Sequence, residues 1–262
     1  RNPLADPFVL GITSGASLGV ALVVLASGSV MAGLLSGGFG IGGGLVLVTA
    51  ATIGALVILI PTLIIAARLA NASTVLIFGL MTGYGVSAFV TILVAGASPD
   101  QLQRWTAWGF GSFSAVTWSD LPVFAPAVLI GIGIAMVSIK QLNAMLLGDN
   151  YARSMGVNTR ATRIVTMGSA SMLAGAVTAF CGPIGFLGVA VPHLARSITR
   201  TSEHAVLVPT CALIGAQIAL FAQIVSLFPG QLGSLPLNAV TALVGAPVVL
   251  FVILKSRRGV LT

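Results

Sequence analysis

Residues Gly182 to Pro209 read GPIGFLGVAVPHLARSITRTSEHAVLVP, and the length of their first apolar piece decides the fold class. Ile184 to Val191 is apolar, and Pro192 and His193 cut it off. A basic segment with Arg196, Arg200 and His204 follows, and a second apolar run opens at Ala205. The first run is far short of the roughly 20 residues an ordinary helix needs to cross a bilayer. A half-length helix flanked by glycine and proline is tolerated at membrane depth only where protein buries it or a cavity hydrates it. The stretch therefore predicts a polytopic membrane protein with a half-helix near 184–191.

Composition points to the same class. Of 262 residues, 57% are hydrophobic and 6% charged, and the mean hydropathy is +1.09. A soluble domain carries about a quarter charged residues, so the chain reads as all-α, a membrane helical bundle of about eight spans. Its 32 glycines suit helices that approach through small-residue faces. The net charge of +7 comes without a basic patch interleaved with stacking aromatics, so nucleic acid is not an expected partner. Cys181 and Cys211 both lie in apolar surroundings and form no metal-spaced pair.

Taken in order, RNPLADP reads as a loop before a first span at about Phe8 to Ala26, where Gly11, Gly15 and Gly19 recur every four residues on one face. The uncharged segment Ser27 to Gly44 ends in GFGIGGG, which lacks the Lys-Ser or Lys-Thr of a nucleotide loop and reads as a flexible turn. Further spans are expected near 45–67, 75–95 and 121–138. Between the last two, Gly96 to Asp120 holds Trp105, Trp108 and Trp118, which suggests an interfacial or re-entrant anchor. After a polar stretch containing Lys140, Asp149, Arg153, Arg160 and Arg163, spans are expected at 164–180, 206–228 and 239–254, with the half-helix after the first of these.

Charge tests this count. Eight crossings put both chain ends on one side, and the basic tail suggests the cytoplasm. Of twelve Lys and Arg residues, only Arg104 then lies outside. Removing the half-helix would put the last basic cluster on the wrong side. The expected location is a multi-pass position in a bacterial cytoplasmic (inner) membrane, with the C-terminus cytoplasmic.

No Asp, Glu, Lys, Arg or His sits in the middle of a long span, whereas proton coupling usually leaves ionisable groups there. There is no Walker loop, HExxH or GxSxG. The chain is thus not expected to be an enzyme, and energy for uphill transport would come from a partner. Neutral polar groups can still bind sodium. An ion-coupled secondary transporter with a broken-helix midplane site is the alternative.

GPIGFLGVAVPHLAR closely resembles the G-x-I-x-F-[VIL]-G-L-x-x-P-H-x-x-R signature of FecCD-type permeases, the membrane subunits of type II ABC importers for iron–siderophore, haem or cobalamin. Gly182, Gly185, Phe186, Gly188, Pro192, His193 and Arg196 stand within it. RNPLADP with GITSGASLG, Trp105 to Phe113, GDNYARSMGV at 148–157 and Ala242 to Pro247 resemble further motifs of the family, in its order. The resemblance covers the whole chain. It implies a single permease domain over 1–262, corresponding to the last eight helices of a ten-helix fold without its two N-terminal ones.

By this resemblance, substrate passes through the interface of a permease dimer by alternating access, with iron–siderophore the preferred cargo over haem or cobalamin. The implied partners are a second permease subunit, two cytoplasmic ABC ATPase subunits and an extracytoplasmic substrate-binding protein. The chain would bind no cofactor, and ATP-Mg would sit on the ATPase. Gly148, Asp149, Ala152, Arg153 and Gly156 fall in the loop that meets the ATPase. Asn2, Pro3, Leu4, Ala72 and Ser73 fall in cytoplasmic gate loops or in plain turns. His193 would cap the half-helix rather than bind metal, because no second ligand is near it in sequence. Arg104 is a candidate for docking the binding protein. The family's late Ala-Asp-x-x-x-Arg is replaced here by Ala222-Gln223 through Leu227, and its Glu-Leu-Pro by Ser234-Leu235-Pro236, so the usual docking charges are absent.

Overall fold

The computed structural model describes residues 11–26, 40–68, 72–228, 235–243 and 245–247, and among them there is no strand. Ten helices follow one another: α1 (Ile12–Ala21), α2 (Gly40–Arg68), α3 (Ala72–Ala95), α4 (Pro99–Gly109) and α5 (Leu121–Val137), then α6 (Ile139–Leu146), α7 (Asp149–Ser154), α8 (Thr159–Cys181), α9 (Leu187–Thr199) and α10 (His204–Leu227). A π-helical turn, Leu22–Ala26, prolongs α1, and residues 237–243 begin a further helix. Among the described residues four helices are long and apolar enough to cross a membrane, α2, α3, α8 and α10, and α5 with α6, bent by 48° at the break between them, meets the same length and composition as a pair. Each of the eight segments expected from sequence thus corresponds to a helix, the last described only at its start.

The described residues fall into two compact units. The first takes them from 1–132 and 167–183. Its centre is the seam between α1 and α2, where a Cβ on Gly15 would overlap the carbonyl of Gly54, one on Gly19 that of Ala50, and one on Gly54 that of Gly15. Backbone therefore lies directly on backbone, the close approach that small residues permit between membrane helices. Val20, Leu47 and Leu59 are almost fully buried in the same unit. In this unit α5 and α8 are joined where Ser169 donates to the carbonyl of Gly131 at 2.7 Å and Phe124 meets Phe180 edge-on at 5.3 Å.

α4 buries no residue, yet its ends are well determined. Ser98 and Gln101 form a reciprocal capping box that satisfies two orphan N–H groups, and Gln101 also donates to the carbonyl of Leu25. Trp105 stacks on Trp108 at 4.7 Å. Trp108 donates its indole N–H to the carbonyls of Thr178 and Ala179, at 3.1 and 3.3 Å. The anchor expected of the tryptophans is thus divided: Trp108 is tied to protein, and Trp118 is 88% exposed.

The second unit takes the described residues from 133–166 and 184–262. In it α9 packs on α10, and α6 touches both α10 and α7.

Three sequence expectations change. The half-helix runs over Leu187–Thr199 instead of stopping at Val191, and Pro192 lies inside it. Proline removes the N–H that would meet the carbonyl of residue 188 and its ring crowds that carbonyl, yet burial of Ala190, Val191 and Ala195 along one face carries the helix past it. Gly40 to Gly44 form the first turns of α2 rather than a flexible turn, Gly44 lying where a Cβ would come within 3.1 Å of the Phe180 ring. Ala72 and Ser73, expected in a loop, are the first residues of α3, as suits alanine, the best helix former.

Candidate transport groove and coupling segment

The first unit contains a groove of about 410 Å³ between α1, α3 and α4, whose polar lining is Ser14, Ser17, Ser87 and Thr91 beside Trp105. Ser14 and Ser17 are three residues apart on α1, while Gly83, Ser87 and Thr91 repeat every four residues on α3, so each set lines one helix face. Thr91 returns its hydroxyl to the carbonyl of Ser87 at 2.8 Å. The hydroxyls of Ser14, Ser17 and Ser87 find no partner among the described residues. An unpaired hydroxyl in hydrocarbon costs several kcal/mol, of order 4–8 on a water-to-cyclohexane scale, so this concave face belongs against water or a polar partner. The signal was present in the sequence as the four-residue repeat of Gly83, Ser87 and Thr91. It was missed because each hydroxyl is isolated in an apolar run.

The second unit holds the segment expected to meet an ATPase. Gly148, at φ 106°, precedes α7, and its carbonyl accepts from the N–H of Ala152 at 2.9 Å. Ala152 is completely buried. Gly156, at φ 81°, ends the helix: its N–H donates to the carbonyl of Arg153 and that of Val157 to the carbonyl of Ala152, at 2.9 and 3.0 Å. This is a Schellman cap, and its left-handed position favours glycine. Asn158 then caps α8 by accepting from the N–H of Ala161 at 3.0 Å. Asp149 pairs with Arg163, and the Nε of Arg153 donates to Thr159 at 3.3 Å. All five predicted residues of this segment thus lie in one compact knob.

The signature residues divide between the units. Gly182, in the first, has φ 78° and leaves no room for a Cβ beside the Trp108 carbonyl. In the second, the N–H of Gly185 donates to Asn238 at 3.3 Å. Phe186 holds the N-cap of α9 at φ 67°, and a Cβ on Gly245 would come 2.6 Å from its Cβ. Gly188, Pro192, His193 and Arg196 all fall within α9. Arg104 is exposed on α4 and donates to the carbonyl of Asp100. Asn2, Pro3 and Leu4 lie outside the described residues. Among the described residues no three His, Cys, Asp or Glu side chains gather as metal ligands would.

The model of the FecCD transport family matches residues 1–255. The chain is 33% identical over 259 residues to YvrB of Bacillus subtilis, an uncharacterized ABC transporter permease protein, covering 99% of this chain and 71% of that one. It is also 33% identical over 259 residues to BtuC of Escherichia coli, a vitamin B12 import system permease protein, covering 98% and 75%. Among solved structures, an inward-facing ABC transporter assigned to the metal-chelate type superposes with a TM-score of 0.81 at 25% identity, covering 97% of this chain and 77% of that one. A multi-pass membrane permease with a hydroxyl-lined groove is the class that fold and site define. The chain belongs to the FecCD transport family.

Proposed function

We propose that this permease forms half of a dimeric, ATP-driven pathway that imports iron–siderophore complexes, with the hydroxyl-lined groove on the water-filled side. The observation that carries this reading is the set of unpartnered hydroxyls on Ser14, Ser17 and Ser87 between otherwise apolar helices. Neutral hydroxyls let a bulky hydrated chelate slide past, whereas a tight charged site would hold it. A substrate-binding protein would deliver the chelate, and a pair of ATPase subunits, gripping the knob at 148–156, would drive the cycle. The BtuC relatives are vitamin B12 import permeases, so cobalamin is the competing substrate.

The test is uptake by cells carrying the full-length permease and its ATPase, with radiolabelled ferric hydroxamate and cyanocobalamin compared side by side. The reading expects ferric hydroxamate uptake that stops with a hydrolysis-dead ATPase and collapses in Arg153→Glu. Uptake of cyanocobalamin alone would replace the cargo and keep the mechanism. Uptake that survives loss of the ATPase and stops when the ion gradient is dissipated would replace the mechanism with ion coupling.

A further inference from the structure

A second set of contacts in the same unit as the knob is absorbed neither by the groove nor by the family signature. α10 begins at His204 after Glu203, whose side chain makes no capping bond. The first N–H groups of a helix have no partner inside it and must be met from elsewhere. Here the N–H of His204 donates to Oδ1 of Asn143 at 2.7 Å, from a residue 61 positions earlier in the chain. The same oxygen lies 2.8 Å from Nδ1 of the His204 ring. Because the backbone N–H can only donate, the atom it meets is the amide oxygen. The ring nitrogen facing that oxygen therefore carries a proton and donates as well. One side chain on α6 thus receives two hydrogen bonds from the first residue of α10.

The position of this clasp gives it mechanical meaning. Asn143 lies five residues before Gly148, and α6 touches both α7 and α10. On the far side, α10 is joined to α9 by the short connection Arg200 to Glu203, whose Arg200 is left-handed at φ 53° and whose Glu203 N–H donates to Thr201 at 3.1 Å. α9 itself packs on α10. A displacement of the knob at 149–154 therefore has a continuous route through α6 to the α9–α10 pair, and the clasp ties a side chain of α6 directly to the first residue of α10.

We propose that Asn143 and His204 are positioning residues for transport, a clasp through which movement of the ATPase-facing knob is passed to the α9–α10 helix pair. This rests on the ATP-driven reading above. A clasp of this kind leaves nucleotide hydrolysis alone and sets how much transport each hydrolysed ATP yields.

The test uses the full-length permease assembled with its ATPase in proteoliposomes, measuring ATP hydrolysis and uptake of ferric hydroxamate and of cyanocobalamin together. Asn143→Leu removes the acceptor at similar volume. Asn143→Asp keeps an oxygen for both donors. His204→Leu keeps the backbone bond and loses the ring bond, so it carries the test even if Asn143→Leu does not accumulate. The expected result is that Asn143→Leu lowers uptake per ATP about tenfold, as loss of two hydrogen bonds from a motion-transmitting contact would, with hydrolysis near wild type. His204→Leu should fall between the two, and Asn143→Asp should stay close to wild type. Uptake per ATP unchanged in Asn143→Leu or His204→Leu would overturn the clasp, as would hydrolysis and uptake falling in step, or Asn143→Asp failing like Asn143→Leu. Wild-type uptake that persists with a hydrolysis-dead ATPase would instead sink the ATP-driven reading on which the clasp depends.

Discussion

Replacing Gly19 by alanine tests the packing of the first unit most directly. A Cβ there would overlap the carbonyl oxygen and carbon of Ala50 and come 2.9 Å from the N–H nitrogen of Ala51. Those atoms belong to a helix backbone and have no rotamer to change, so α1 and α2 must separate. Overpacking of a close-fitted contact costs about 1–3 kcal/mol, and a clash with rigid backbone on both sides belongs near the top of that range. Alanine returns roughly 1 kcal/mol of helix propensity over glycine. The net loss is about 2 kcal/mol, or a fall of about 4–8 °C in melting temperature on the scale of 2–4 °C per kcal/mol for chains of 150–250 residues. Gly133→Ala is the control, since nothing lies within 4 Å of its added Cβ and only the propensity gain remains. The assay is thermal unfolding of the full-length permease in detergent, followed by size-exclusion fluorescence. If Gly19→Ala melts at or above wild type while Gly133→Ala behaves as expected, the α1–α2 seam is not the close contact described.

Three further outcomes are expected. Gly156→Val forces a β-branched residue into a left-handed cap at a cost of about 1–2 kcal/mol, so tryptic cleavage after Arg153 should accelerate about tenfold; Gly156→Asn, which tolerates that conformation, should change it far less, and equal acceleration by both would discredit the cap. A double-mutant cycle between Asp149→Asn and Arg163→Gln should return a coupling below about 1 kcal/mol, because both side chains are partly exposed; a value above about 2 kcal/mol would mark the pair as buried by a partner. Ser87→Cys should react with a hydrophilic methanethiosulfonate and Leu129→Cys, exposed on the wholly apolar α5, should not; an unreactive Ser87→Cys would remove the groove from contact with water.

Much of this architecture was legible because membrane helices must satisfy their backbone internally, which turns length and apolarity into a direct readout of spans. The four-residue glycine repeat on α1 announced a flat face, and that face is the one pressed against α2. The existence of the half-helix was legible from the short apolar run between Gly182-Pro183 and Pro192, yet its bounds were not, since it opens at Leu187 rather than Ile184 and ends at Thr199 rather than Val191. Pro192 looked like a terminator, because it forfeits a hydrogen bond and crowds the carbonyl four residues back, but the buried apolar face of α9 carries the helix past it. The segment at 148–156 was legible only through the resemblance of GDNYARSMGV to a family motif; its shape came with the structure, where both glycines occupy backbone conformations that other residues avoid. The groove was harder to see because its hydroxyls come singly from separate helices. The Asn143–His204 clasp was beyond reach of the sequence, because nothing local in either residue's neighbourhood records a partner 61 positions away.

The shape of α7 bears on what kind of force a partner can apply. At six residues it is too short to persist as an isolated helix, and it exists because both ends are tied, at Gly148 and through the Schellman bonds at Gly156. A slack loop acts as a rope, able to pull on the helices behind it but not to push them. A knob with fixed ends and a buried Ala152 acts as a strut and carries load in both directions. If the ATPase grips it as proposed above, a single contact surface would serve both the opening and the closing stroke of the transport cycle, with no second linkage needed to bring the helices back.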